Sequence, residues 1–183
     1  RSTPKPSSAA SDVYKRQFPR QCLYVVPMRV LANQFLSETR WLTRERLLLT
    51  EVPRVTIQTG EHPHDPYLMD DLVFATLDQV LSSALGVPYS LPLSKANVNV
   101  GAVLGSYLVF DEFHLFPPQA RRATLHLLSL FGRIAPFLLM TATFSRPMLE
   151  EVAEFLGAVP ELVPEEEVEW IESRGRKWPS STG

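Results

Sequence analysis

Two adjacent carboxylates and a nearby histidine, Asp111, Glu112 and His114, are the side chains of this sequence best suited to chemistry. They directly follow the apolar run 107–110, which predicts a strand buried on both faces. Open α/β sheets bind their ligands at the carboxyl ends of such strands. Adjacent residues of a strand point to opposite faces, so the two acids are expected to serve different tasks. In phosphoryl transfer, one acid can hold Mg²⁺ while another orients or deprotonates the attacking water.

Polar residues also follow the other apolar runs of the chain. Arg29 comes shortly after the first run, Thr59 and Gly60 follow the second, Thr76 follows the third, and the sequence Thr-Ala-Thr at 141–143 follows the last. Helix N-termini, glycine amides and one arginine can bind phosphate oxygens, and such contacts read no bases. Each group also has an ordinary alternative, because acids and Thr-Gly pairs are frequent in turns and a helical arginine is usually solvated.

The elements that must position these residues alternate between strands and helices. This alternation predicts a doubly wound, mainly parallel α/β sheet with flanking helices. The strands are expected at 22–26, 55–58, 72–75, 107–110 and 137–140, and the helices at about 28–41, 76–85, 117–131 and 147–156, with a helix or loop at 43–51 and a weaker helical pattern at 95–104.

Composition narrows the class of protein. The chain has 183 residues, a formal net charge of −2 and one cysteine, which excludes a disulfide framework and fits a reducing cytoplasm. No apolar run approaches the ~20 residues that span a bilayer, so no membrane partner is expected. Residues 1–54 hold ten Lys/Arg and four Asp/Glu, a balance that suits nucleic acid but also solvated helix faces. His62, His64 and Asp65 lack the further ligands of a metal site.

The order of these strand ends resembles the first motor lobe of superfamily 2 helicases. In that comparison Asp-Glu-Phe-His at 111–114 is the Walker B motif and Thr-Ala-Thr at 141–143 is the coupling motif. Within the superfamily, four stretches resemble the CRISPR-associated helicase-nuclease of type I interference systems, and the resemblance covers about residues 21–157. The four stretches are PMRVLANQ, ATLDQVLSSAL, VPYSLP and GSYLVFDEFHLF.

The resemblance implies a role for each site residue and implies ATP and Mg²⁺ as cofactors. Asp111 would hold Mg²⁺ through water, Glu112 would polarise the attacking water, and His114 would bond toward the coupling motif. Thr141, Ala142 and Thr143 would link nucleotide state to the grip on DNA. The positions that match sugar-phosphate contacts are Arg29, Thr59, Gly60 and Thr76.

Composition and the resemblance together predict a domain organisation. Residues 1–17 have no apolar period and are rich in Ser, Pro and charge, so they are expected to be disordered. Within them, 7–17 resemble translated adapter sequence, and a natural flexible tail is the alternative. The resemblance implies that residues 18–157 form a partial RecA-like lobe and that residues 158–183 are a linker toward a second lobe.

No G-x-x-x-x-G-K-[ST] phosphate loop occurs in the sequence. We therefore expect a fragment that hydrolyses ATP negligibly by itself and whose sheet has an exposed edge or groove, because the family's phosphate-loop strand belongs inside the sheet.

The expected partners are those of the complete helicase-nuclease. They are single-stranded DNA, a crRNA-guided surveillance complex, a second RecA-like lobe and a nuclease domain. Two alternatives stay open: another superfamily 2 DNA or RNA helicase, and a non-enzymatic RecA-like module that binds nucleic acid. The retained pair Asp111-Glu112 favours a motor, since a pure binding module has no need of it.

Overall fold

Five strands and five helices form the part of the chain that the computed structural model describes, residues 19–45 and 52–161. The predictions for residues 1–17, 46–51 and 162–183 lie outside this part. The strands are β1 (Cys22–Val26), β2 (Val55–Gln58), β3 (Leu72–Thr76), β4 (Tyr107–Phe110) and β5 (Phe137–Leu139). The helices are α1 (Arg29–Glu45), α2 (Leu77–Ala84), α3 (Ala96–Leu104), α4 (Pro118–Phe131) and α5 (Arg146–Leu156).

The strands form one fully parallel sheet in the order β2-β3-β1-β4-β5, which confirms the predicted α/β class. The register aligns the carboxyl ends: Val26 pairs with Thr76, and Phe110 pairs with both Val25 and Leu139. All the residues singled out at strand ends therefore emerge at the same edge of the sheet.

Helices lie on both faces of the sheet because the chain crosses it in both directions. The connection β1-α1-β2 moves toward one side and β3-α2-α3-β4 toward the other, and right-handed crossovers then place α1 and α2 on opposite faces. Under α1 lies a cluster of apolar side chains from three strands and the helix: Val26, Ala32, Val55, Ile57 and Phe74.

A ring cluster extends this core toward the strand ends. The centroid of the Tyr24 ring lies 5.6 Å from that of Phe35 and 5.4 Å from that of Phe74. These separations are in the range of favourable aromatic contacts. On the opposite face, Leu23, Val25, Val73 and Ala75 are fully buried, as strand alternation requires.

Most of the element boundaries that differ from the predictions do so by one residue, and helix α1 differs by more. Helix α1 continues to Glu45, past the expected end near residue 41. Thr76 is the last residue of β3 and the N-cap of α2, with extended φ and ψ of −79° and 153°, and does not belong to the helix itself. Strand β5 ends at Leu139, although the Met140 amide still donates to the Phe110 carbonyl at 2.8 Å.

Strand β5 forms one edge of the sheet. Within residues 19–45 and 52–161, no strand pairs with its outer side, and Leu138 is 43% exposed. An apolar edge strand of this kind can accept a further strand.

Helix α5 belongs to a second compact unit that begins at Ser145, after the unit that holds the sheet. Pro147 occupies its first turn, where a proline costs no hydrogen bond. The helix ends at Gly157, whose φ of 62° is the left-handed conformation common after a helix. Arg146 Nε and Glu150 Oε1, 3.1 Å apart, pair one turn apart along its surface.

Candidate functional site

The Asp111 carboxylate is held in place by two hydrogen bonds. The Tyr24 hydroxyl donates to Oδ2 at 2.9 Å, and the backbone amide of Glu112 donates to Oδ1 at 2.8 Å. The Asp111 amide itself donates to the Val25 carbonyl at 2.9 Å, extending the ladder between β1 and β4. A carboxylate oxygen has two lone pairs, so each oxygen keeps one acceptor site for a further ligand.

Tyr24 stays protonated in this arrangement. Burial raises the pKa of its phenol well above the usual value, and the hydrogen bond to Asp111 raises the pKa further. The hydroxyl is therefore a permanent donor to the carboxylate at physiological pH. Sequence reasoning missed this residue, although a tyrosine in a buried strand signals that its hydroxyl needs a partner.

Glu112 lies beyond the strand in a left-handed backbone conformation, with φ of 49° and ψ of 43°. The expectation that the two acids alternate as strand residues is therefore wrong, because β4 ends at Phe110 and the chain turns at Glu112. A non-glycine residue in this region costs on the order of 1–3 kcal/mol and persists only where its surroundings enforce it.

The residues after Glu112 enforce this turn. Phe113 begins a short 3₁₀ turn that ends at Leu115, and the Phe113 amide donates to the Met140 carbonyl at 3.0 Å. The Phe113 side chain is buried, with its ring centroid 5.5 Å from that of Phe116 and 5.9 Å from that of Phe144. Phe113 thereby connects the acidic turn, which holds Asp111 and Glu112, to the segment that follows β5.

His114 lies between the acidic turn and the Thr-Ala-Thr segment. Its Nδ1 is 3.5 Å from Thr141 Oγ1 and 3.4 Å from Glu112 Oε2. The structure thus brings three of the predicted residues together. Ala142 and Thr143 are exposed beyond them at the same sheet edge.

The four predicted nucleic-acid contacts differ in accessibility. Arg29 is paired with Glu61, and both side chains are more than half exposed. Gly60 is exposed, with no atom within 4 Å of the position that a Cβ would occupy. By contrast, Thr59 is 1% exposed and its hydroxyl accepts the His62 amide at 3.2 Å, and Thr76 is also buried. The Gly60 backbone and the Arg29 guanidinium are therefore the accessible members of this set.

The described residues hold no alternative metal centre and no membrane segment. Within them, no three His, Cys, Asp or Glu side chains are grouped as metal ligands, and His62 and His64 are exposed loop residues. Burial raises the pKa of Cys22 to about 11, so its thiol is protonated at neutral pH and a poor nucleophile. None of the described helices has the length and apolar content needed to cross a bilayer.

The parallel sheet with its acidic strand end is a RecA-like α/β lobe. A sequence model of the DEAD/DEAH box helicases matches residues 8–152, and the chain belongs to this family. Helicases of this family use ATP. A search of curated proteins found no match.

Several solved structures share this fold. They include the DUF1998 helicase MrfA bound to DNA, with a TM-score of 0.59 at 17% identity over 85% of this chain and 20% of that one. T. fusca Cas3 has a TM-score of 0.55 at 20% identity, over 90% of this chain and 18% of that one. The T. fusca Cas3-AMPPNP structure has a TM-score of 0.55 at 17% identity, over 98% of this chain and 21% of that one. The chain spans about a fifth of the length of each of these proteins.

Proposed function

We propose that this chain is part of the ATP-dependent motor of a CRISPR-associated type I helicase-nuclease, which translocates along single-stranded DNA. The observation that carries the proposal is the position of Asp111, Glu112 and His114 after β4, with His114 Nδ1 3.5 Å from Thr141 Oγ1. Membership of the DEAD/DEAH box family and the fold shared with Cas3 and MrfA support it.

The acidic turn suits a hydrated Mg²⁺ of Mg-ATP. Hard cations prefer carboxylate oxygen, and Asp111 presents a fixed carboxylate with one free acceptor site on each oxygen. The chemistry supplied there would be neutralisation of charge on the β- and γ-phosphates. Glu112 is the next residue of this turn, and its carboxylate would orient and polarise the attacking water.

The coupling residues would connect this site to the nucleic acid. His114 contacts both Glu112 and Thr141, so a movement of the acidic turn would displace the segment 141–143. Short hydroxyl side chains can relay such a shift between strand ends by exchanging hydrogen-bond partners.

The nucleic acid would run along the same sheet edge, over Arg29, Thr59, Gly60 and Thr76. The exposed Gly60 amide and the Arg29 guanidinium would bind phosphate oxygens, with Arg29 exchanging Glu61 for a phosphate. Thr59 would act through the turn that its hydroxyl closes. Binding through these groups would be independent of sequence and weakened by salt.

The complete protein would contain the parts that this motor needs. These are a phosphate loop and its lysine, a second RecA-like lobe and a metal-dependent nuclease domain. Its partners would be single-stranded DNA and a crRNA-guided surveillance complex in a prokaryotic cytoplasm. Residues 18–157 would be part of the first lobe, and the segment from residue 158 would lead toward the second.

A DNA helicase outside CRISPR defence is the second candidate. The MrfA structure shares the fold with a TM-score of 0.59, compared with 0.55 for T. fusca Cas3. A nuclease domain in the complete protein, with nuclease activity that depends on the surveillance complex, would separate the two functions.

The substitution Glu112→Gln in the complete protein tests the motor. It removes the charge that polarises water and preserves the size of the side chain, so DNA-stimulated ATP hydrolysis should fall at least about 100-fold while ATP and DNA binding are retained. The matched control is Glu38→Gln, an exposed residue of α1 whose carboxylate accepts a hydrogen bond from Gln34. Unchanged turnover in the Glu112 variant would contradict the role of Glu112.

A further inference from the structure

Two stretches without a chemical role in the proposed motor, Leu-Asp-Gln at 77–79 and Tyr-Ser-Leu-Pro at 89–92, meet at the end of β2. Gln58, the last residue of β2, donates from Nε2 to Ser90 Oγ at 2.6 Å and to Gln79 Oε1 at 3.4 Å. The Ser90 hydroxyl also donates to Gln79 Oε1 at 3.3 Å. Gln58 and Gln79 are 2% and 3% exposed, so they belong to the interior, and the half-buried Ser90 connects them to the surface.

The same cluster holds the loop that carries Gly60. Gln58 Oε1 accepts the Asp65 amide at 3.2 Å, and Asp65 Oδ2 in turn accepts the amides of Met69 and Asp70. An antiparallel bridge between Gln58 and Pro63 also joins the two sides of this loop. Because buried and satisfied polar networks restrict motion, the loop is held in one arrangement relative to α2 and to residue 90.

A pocket of about 220 Å³ opens beside this cluster. Its lining includes Gly60, Pro63, Gln79, Tyr89 and Ser90, and none of the lining residues carries a formal charge. The volume is below the roughly 300–1,000 Å³ of pockets for drug-sized ligands, so it suits a single ring system. An uncharged pocket next to the exposed Gly60 amide suits a base whose phosphate lies on that amide.

Tyr89 provides the aromatic surface of this pocket. It is 70% exposed, so most of the side chain is accessible to a ligand. Exposed aromatic rings beside a backbone-binding groove are the usual stacking platforms for single-stranded nucleic acid. Stacking on a ring tolerates any base, so it is compatible with sequence-independent contacts to the phosphates.

We propose that this pocket receives one base of the single strand, which stacks on Tyr89 while the Gln58–Gln79–Ser90 cluster keeps the pocket open. The inference rests on the nucleic-acid-binding part of the proposed function and adds a base contact to its phosphate contacts. The ligand is an unpaired nucleotide, and Gln79 and Ser90 supply the polar atoms of the pocket.

The test compares two strands of equal length and charge, an oligothymidylate and an abasic strand, by fluorescence anisotropy with the complete protein. Tyr89→Ala should weaken binding of the oligothymidylate about tenfold, within the range for base–aromatic stacking. The abasic strand and the dependence of affinity on salt should be unaffected, because no charge is removed. Tyr89→Phe should bind both strands like the wild type.

Leu93→Ala is the matched control, since Leu93 is 71% exposed in the same connection and lies outside the pocket lining. The inference is overturned if Tyr89→Ala binds oligothymidylate as tightly as the wild type, or if it loses affinity equally for both strands. A wild-type protein that binds neither strand would instead contradict the proposed function. Photo-crosslinking of a 5-iodouracil strand should modify the peptide containing Tyr89 and no longer do so in Tyr89→Ala.

Discussion

Tyr24 on β1 and Asp111 after β4 are joined by a 2.9 Å hydrogen bond between the phenol and Oδ2, across 87 residues of sequence. The bond exists because β1 and β4 are neighbours in the sheet, and the Tyr24 ring is itself fixed between Phe35 and Phe74. The hydrophobic cluster beneath α1 thereby determines how the carboxylate is oriented at the strand end.

Tyr24→Phe should therefore weaken the magnesium site without unfolding the lobe. The ring contacts remain, while Asp111 loses one of its two orienting hydrogen bonds. Loss of an outer partner of a metal-binding carboxylate costs about tenfold in metal affinity, so the Mg²⁺ concentration for half-maximal ATPase activity should rise by about that factor. Titration of the complete protein with Mg²⁺ at saturating ATP measures it.

The control for this experiment is Tyr107→Phe. Tyr107 is a half-buried tyrosine at the start of β4, at the other end of the strand from Asp111. An equal Mg²⁺ requirement in wild type and Tyr24→Phe would show that the phenol does not position the carboxylate.

The contact between His114 and Thr141 should carry coupling between nucleotide and DNA. Thr141→Val and His114→Ala should each reduce the stimulation of ATPase activity by DNA, and the double variant should be no worse than the poorer single one. Groups in direct contact show interaction energies of about 0.5–3 kcal/mol in such a cycle. Strictly additive effects would mean that the 3.5 Å contact has no energetic consequence.

Cys22 should titrate far above the range of an exposed thiol. Its pKa is raised by burial from 9.0 to about 11, so between these values the folded chain keeps a proton that the unfolded chain releases. This raised pKa gives a contribution to stability that is complete below pH 9 and lost as the pH rises toward 11.

The measurement is the rate of iodoacetamide alkylation at Cys22 as a function of pH, read from its peptide by mass spectrometry. The rate should rise with a midpoint near pH 11 in the folded protein and near pH 9 in urea. In Cys22→Ala, the free energy of unfolding measured in urea should fall less as the pH rises from 9 to 11, because the buried thiol is absent. A native midpoint near 9 would place Cys22 outside the buried strand.

A pair of glycines tests the packing of the sheet edge. A Cβ at Gly132 would lie 2.6 Å from both the Leu128 carbonyl oxygen and the Phe137 ring, so Gly132→Ala should reduce the free energy of unfolding by about 1–3 kcal/mol. A Cβ at Gly101, within α3, would meet no atom within 4 Å beyond its own helix backbone, so Gly101→Ala should raise the free energy of unfolding by about 0.5–1 kcal/mol. Urea denaturation of both variants measures the difference, and equal effects would contradict the close approach at Gly132.

The strands and their parallel class could be predicted from the sequence because unbroken apolar runs such as 107–110 are typical of strands buried on both faces. The position of Asp111 and Glu112 at the carboxyl edge of the sheet could also be predicted, because the two acids directly follow this run. The Tyr24–Asp111 bond could not be predicted, because it depends on which strands are neighbours. The left-handed backbone of Glu112 depends on the buried anchor of Phe113, and the Gln58–Gln79–Ser90 cluster joins residues up to 32 positions apart.

An experimental structure of the complete protein with an ATP analogue, Mg²⁺ and single-stranded DNA would test the proposed motor most directly. We expect a hydrated Mg²⁺ beside Asp111 and a strand that crosses the same sheet edge over Gly60. Nucleotide bound away from Asp111 and Glu112, or DNA on the opposite edge of the sheet, would contradict it.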